Sequence, residues 1–139
     1  MTETRDTYAY FWTTGFECSI GDITKCMGLE PTRAWNKGDP GRYKNEMSFS
    51  GWDLYSPMPR GDKAIDEQLE ALLPVLEQRA AAIHDIAKKY QAGISCVGYF
   101  NNFSPGFHLS RETVSRIAAL GLSVDFDLYC SNDELESAS

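Results

Sequence analysis

The chain is short of histidine, of cysteine and of positive charge, and each shortage closes off a class of function. Two histidines in 139 residues leave little for metal ligation or imidazole catalysis. The four cysteines, Cys18, Cys26, Cys96 and Cys130, are too widely spaced for a disulfide scaffold and form no C-x-x-C pair, so reduced thiols are expected. Thirteen Lys and Arg against twenty Asp and Glu give a formal net charge of −7, which opposes non-specific attachment to phosphate backbones or anionic membranes. No apolar run approaches the roughly 20 residues that span a bilayer. Residues 1–6 show no basic region leading into an apolar stretch, so the expected address is the cytoplasm. The phosphate-cradling G-x-x-x-x-G-K-[ST] and G-x-G-x-x-G, the zinc-protease H-E-x-x-H and the nucleophile-elbow G-x-S-x-G are all missing. No enzyme activity, cofactor or metal is expected.

What the chain does have is a core. Hydrophobic residues make up 42% and aromatics 12%, enough for one domain over residues 1–139, with frayed ends expected at about 1–6 and 132–139. Two segments echo each other. The first runs Tyr10-Phe11, Gly15-Phe16-Glu17-Cys18-Ser19, Ile23, Gly28-Leu29; the second runs Tyr99-Phe100, Gly106-Phe107-His108-Leu109-Ser110, Val114, Gly121-Leu122. Each leads to an Asp-Leu-Tyr triplet, at 53–55 and at 127–129. The order implies two related strand, helix, strand units.

Local chemistry agrees. Ser110 is a good N-cap, Val114, Ile117, Ala118 and Leu120 recur at helical spacing, and Gly121 supplies a left-handed stop. Ile23, Cys26 and Met27 make the stripe of a short helix from about Asp22, closed by Gly28. Residues 31–50 are dense in turn formers and read as a long loop. From Ala64 to Tyr90 apolar residues step by three or four, and Pro74 predicts a kink or break between Leu73 and Arg79. The expected fold is α+β: a mostly antiparallel sheet from the two units, with the helices on one face in a ferredoxin-like arrangement.

Strand alternation then sorts the aromatics. If Trp52, Leu54, Phe126 and Leu128 point into the core with Phe11, Ile94, Cys96 and Phe100, the opposite face collects Tyr8, Tyr10, Trp12, Asp53, Tyr55, Tyr99, Asp125, Asp127 and Tyr129. Tyrosine and tryptophan anchor protein interfaces, and aspartates among them favour a basic partner. His84 reads as a helix-surface residue. His108 lacks an accompanying nucleophile, and Asp125 with Asp127, about 7 Å apart on one strand face, is a common pairing. One stretch runs against the overall charge: residues 31–63 hold Arg33, Lys37, Arg42, Lys44, Arg60 and Lys63 against Asp39, Glu46, Asp53 and Asp62. Its Arg33, Trp35 and Lys37 offer an alternative, a site for a small anionic ligand or substrate; the plainer expectation is that Trp35 folds back as a lid on the core. A single-stranded RNA-binding sheet is a third reading, opposed by the aspartates.

The run Gly28-Leu29-Glu30-Pro31-Thr32-Arg33-Ala34-Trp35-Asn36-Lys37-Gly38-Asp39, with Trp52-Asp53-Leu54, Leu120-Gly121-Leu122 and Asp127-Leu128-Tyr129, resembles a family of small bacterial proteins known as domain of unknown function 4279. The resemblance spans Tyr8 to Tyr129 and implies no activity and no catalytic residue. Some small acidic bacterial proteins of similar appearance serve as immunity proteins. By that analogy the expected function is a non-enzymatic inhibitor that occludes a basic toxin domain encoded by a neighbouring gene, with no nucleic-acid or membrane partner and with self-association left open.

Overall fold

The structure is a computed structural model that describes residues 2–43 and 45–132. Strand β1 (Thr4–Thr14) buries Thr7, Ala9, Phe11 and Thr13 and leaves Tyr8, Tyr10 and Trp12 half-buried on its other side. It starts opposite Asn101, so residues 4–6, expected to fray, belong to the sheet's central strand. Of the other expected frayed end, residues 133–139 lie outside the described residues. Helix α1 (Ile20–Met27) begins two residues before the expected Asp22, because Ser19 is the cap: its hydroxyl accepts from the Asp22 amide at 3.0 Å and the Asp22 carboxylate accepts from the Ser19 amide at 3.1 Å. Gly28, at φ 68°, closes it. Ile23 and Met27 are buried, whereas Cys26, one position off the stripe, is exposed.

The expected 31–50 loop contains a strand, β2 (Arg33–Trp35), recruited by pairing with β3 (Gly51–Tyr55) in the register Arg33↔Asp53 and Trp35↔Gly51. Turn-forming neighbours hid it, since a three-residue strand carries almost no periodic signal. The long apolar segment divides within the expected interval into α2 (Ile65–Glu77) and α3 (Ala80–Lys89), with Gln78 and Arg79 between them. Strand β4 (Gln91–Asn101), helix α4 (Arg111–Ala119) and strand β5 (Ser123–Ser131) complete the order. Ser110 caps α4 by accepting from the Thr113 amide at 3.1 Å.

The fold is α+β with an open, mostly antiparallel sheet ordered β2-β3-β1-β4-β5; only β4 and β5 run parallel. From β1 through β4 the chain follows a ferredoxin-like path, β-α-β-β-α-β with the long helix broken in two, and α4 and β5 extend it by one parallel edge strand. The two echoing segments differ in both order and sense: in the first, β2 intervenes between the helix and the triplet, and Asp53-Leu54-Tyr55 lies antiparallel to β1, whereas Asp127-Leu128-Tyr129 follows α4 directly and lies parallel to β4. Their likeness is local, in caps and strand ends. The helices pack on the face that carries Phe11, Trp52, Ile94 and Cys96, against a cluster including Met27, Leu69, Leu72, Leu76, Ile83 and Ile117. Each such fully buried side chain contributes about 1.5–3 kcal/mol. Leu128 lies on this side too but is 38% exposed, at the outer edge of the sheet.

Candidate functional site

The opposite face of the sheet is the candidate site, and register builds it row by row. Across the strands stand Arg33, Asp53, Trp12, Gly93 and Ser123; then Tyr55, Tyr10, Ser95 and Asp125; then Tyr8, Val97 and Asp127; then Asp6, Tyr99 and Tyr129. All nine residues assigned to the outer face by alternation are therefore on one surface. The rings touch. Tyr10 and Tyr55 stack at 4.8 Å between centroids, Tyr8 and Tyr55 at 5.8 Å, and Tyr99 and Tyr129 at 5.0 Å. Val97 and Ser95 are buried although they lie on the face away from the helix cluster, because the tyrosines flank them. Two glycines make room for indoles: a methyl group on Gly93 would meet the Trp12 ring at 2.8 Å, and Gly51 lies directly beneath the ring of Trp35.

Exposure divides the face. Tyr99 (45%) and Tyr129 (53%) are open, Asp125 and Asp127 are exposed, and Tyr8, Tyr10, Trp12 and Tyr55 are half-covered. Asp53 departs from the expected direct contact, being only 4% exposed. It sits in register between Trp12 and Arg33, and burial pushes its carboxyl up to about 6, partly offset by the Arg33 guanidinium 3.8 Å away. Asp53 thus contributes its field to this face and is not open to direct contact. Burial likewise pushes the Tyr8 phenol up to about 12, helped by Tyr99 and Tyr55 and opposed by Arg60. The phenols of Tyr10 and Tyr55 are also raised, first by burial.

Sequence reasoning missed two contributors. Arg60, from the connection between β3 and α2, lies 4.4 Å over the Tyr8 ring and donates two hydrogen bonds to Asp6, at 2.6 and 3.1 Å. Asp6 is within reach of the alternation, two residues before Tyr8, but falls in the end expected to fray. Nothing in the sequence places Arg60.

The alternative trio does not converge. Arg33 and Trp35 sit on β2 and join the sheet face, Arg33 stacking 4.6 Å over the Trp35 ring, whose indole donates to the Phe49 carbonyl at 2.8 Å. Trp35 is therefore no lid on the core. Lys37 lies past the strand end, beside a separate cleft lined by Phe16, Glu17, Ser19 and Ser50. His84 bonds the Ala119 carbonyl at 2.6 Å and so ties α3 to the end of α4. His108 borders a cleft of about 500 Å³ with Arg5, Asp66 and Phe107, away from the tyrosine face. Among the described residues no three His, Cys, Asp or Glu side chains gather as a metal would require, and no helix is long and apolar enough to cross a membrane.

The fold and this face define a class: an α+β layer whose sheet, on the side away from the helices, carries an aromatic platform edged with carboxylates. The chain belongs to the family described as Domain of unknown function (DUF4279), whose model matches residues 3–131. No curated protein and no solved structure matches it.

Proposed function

We propose that this is a non-enzymatic cytoplasmic binding protein whose tyrosine face takes a basic protein, and that it serves as an immunity protein, occluding a toxin domain encoded by a neighbouring gene. The observation that supports this reading is the gathering of five tyrosines, Trp12 and four aspartates, Asp6 among them, on one sheet face, opposite the helix-packed face. Rigid aromatic rings lose little entropy on binding and bury large areas, while the carboxylates favour cations and repel phosphate backbones. The sheet spans roughly 19 Å across five strands and roughly 33 Å along β1, and with its shorter outer strands has a footprint of about 500 Å², a substantial part of the ~800 Å² one partner contributes to a standard interface.

Co-expression with the product of the adjacent gene tests the proposal. A stable complex that weakens with salt, and that Tyr10→Ala with Tyr129→Ala abolishes, is the expected result. A basic neighbour that shows no binding even at low salt removes the immunity reading.

A further inference from the structure

The open sheet has two edges of very different character. The β2 edge is three residues long and carries Arg33. The β5 edge runs for nine, pairs with β4 without a bulge, and contains no proline, lysine or arginine, which are among the residues that ordinarily block strand addition. Among the described residues nothing pairs with its far side. On the tyrosine face it presents Asp125, Asp127 and Tyr129; on the other it presents Phe126 and the part-exposed Leu128, with Phe107 against Phe126. Across the sheet the compensation of charge is uneven. Arg33 faces Asp53 and Arg60 holds Asp6, whereas among the described residues no ion pair reaches Asp125 or Asp127. Their carboxylates also discourage a second copy. In an antiparallel pairing of two β5 strands over all nine residues, Asp127 would stand opposite itself, and like charges directly opposite are destabilising.

We infer that β5 is the docking edge for an extended segment of the cationic partner, which adds a sixth strand to the sheet with Lys or Arg over Asp125 and Asp127 and apolar residues alternating on the Leu128 side. This rests on the cationic-partner reading and names how that partner is held. Main-chain hydrogen bonds supply the attachment, and alternate side chains supply the choice.

The test uses the whole chain and three capped nonapeptides: one alternating Lys with Val or Thr, one of the same composition with the lysines in a block, and the alternating one N-methylated at every second residue. The alternating peptide is expected to bind at least tenfold more tightly than the other two. It should slow hydrogen exchange at every second amide of residues 123–131, those pointing away from β4. Equal binding of all three without protection of β5 overturns the strand-addition mode and leaves the cationic-face reading standing. Absence of peptide binding at low salt likewise overturns it, while co-purification with the neighbouring gene product decides the broader reading separately. A free protein that is already dimeric, with its β5 amides protected, assigns the edge to a second copy and also overturns the inference.

Discussion

Replacing Asp53 with asparagine should reshape the pH dependence of stability. The carboxyl titrates at about 6 in the folded chain against an ordinary value of 3.8. Between those values the folded state holds a proton that the unfolded state has released. The group's stabilising contribution is therefore complete below about pH 4 and is lost as pH rises through 6. A difference of roughly two pH units corresponds to about 3 kcal/mol, an order-of-magnitude figure. A side-chain amide at this position cannot ionise and avoids that loss, while the Arg33 contact it surrenders, at 3.8 Å with the arginine 60% exposed, adds little. Urea unfolding of both proteins at pH 4, 6 and 7.5 isolates the effect, because every other titrating group cancels in the difference. Asp53→Asn should gain on the parent by about 2 of those 3 kcal/mol between pH 4 and 7.5, most of it between pH 4 and 6. A difference that stays flat within about 1 kcal/mol, or that changes in the opposite direction, would refute the claim that Asp53 is buried at a cost in charge.

Gly93→Ala, which sets a methyl group 2.8 Å from the Trp12 indole and 2.9 Å from the Ser123 hydroxyl, should cost about 1–3 kcal/mol in urea unfolding and shift tryptophan emission. Ser110→Ala removes the α4 cap and should cost about 1 kcal/mol by the same assay, without altering partner binding. Tyr8→Phe should remove the last step of the phenolate absorbance titration, near pH 12, provided the fold persists there. Asp125→Asn with Asp127→Asn should slow partner association and flatten its salt dependence, while leaving dissociation nearly unchanged, as measured by surface plasmon resonance.

The face was legible because a period of two is unambiguous wherever it runs long enough. Residues 7–14 alternate without interruption, and once Phe11 is assigned to the core, Tyr8, Tyr10 and Trp12 have nowhere else to go. What stayed hidden depends on contacts distant in sequence. Strand β2 exists because β3 offers it hydrogen bonds, Arg60 reaches Tyr8 from a connection with no period, and Asp53 is buried by Trp12 and Arg33 from two other strands. Sequence spacing put Asp53 on the correct side but could not give its depth, which follows from what flanks it across the sheet. The same limit explains the echoing segments. Caps and stops repeat in wording, yet strand sense is decided by which neighbour accepts the hydrogen bonds.

Depth and edge act together in one electrostatic argument. A carboxylate held among aromatic rings, at about 6 when free, is a charge with too little water and only a distant, exposed guanidinium to answer it. Any cation brought over Trp12 and Tyr10 lowers the cost of keeping it ionised, so binding draws its carboxyl back toward the ordinary range and releases protons near pH 6. Because Arg33 and Arg60 already occupy the β2–β3 side of the face, an incoming cation meets its least compensated charge at Asp125 and Asp127 and reaches the buried aspartate's field from there. In the proposed complex the strand edge and the tyrosine platform are adjoining parts of one surface, the first supplying direction and the second the apolar area that resists dissociation.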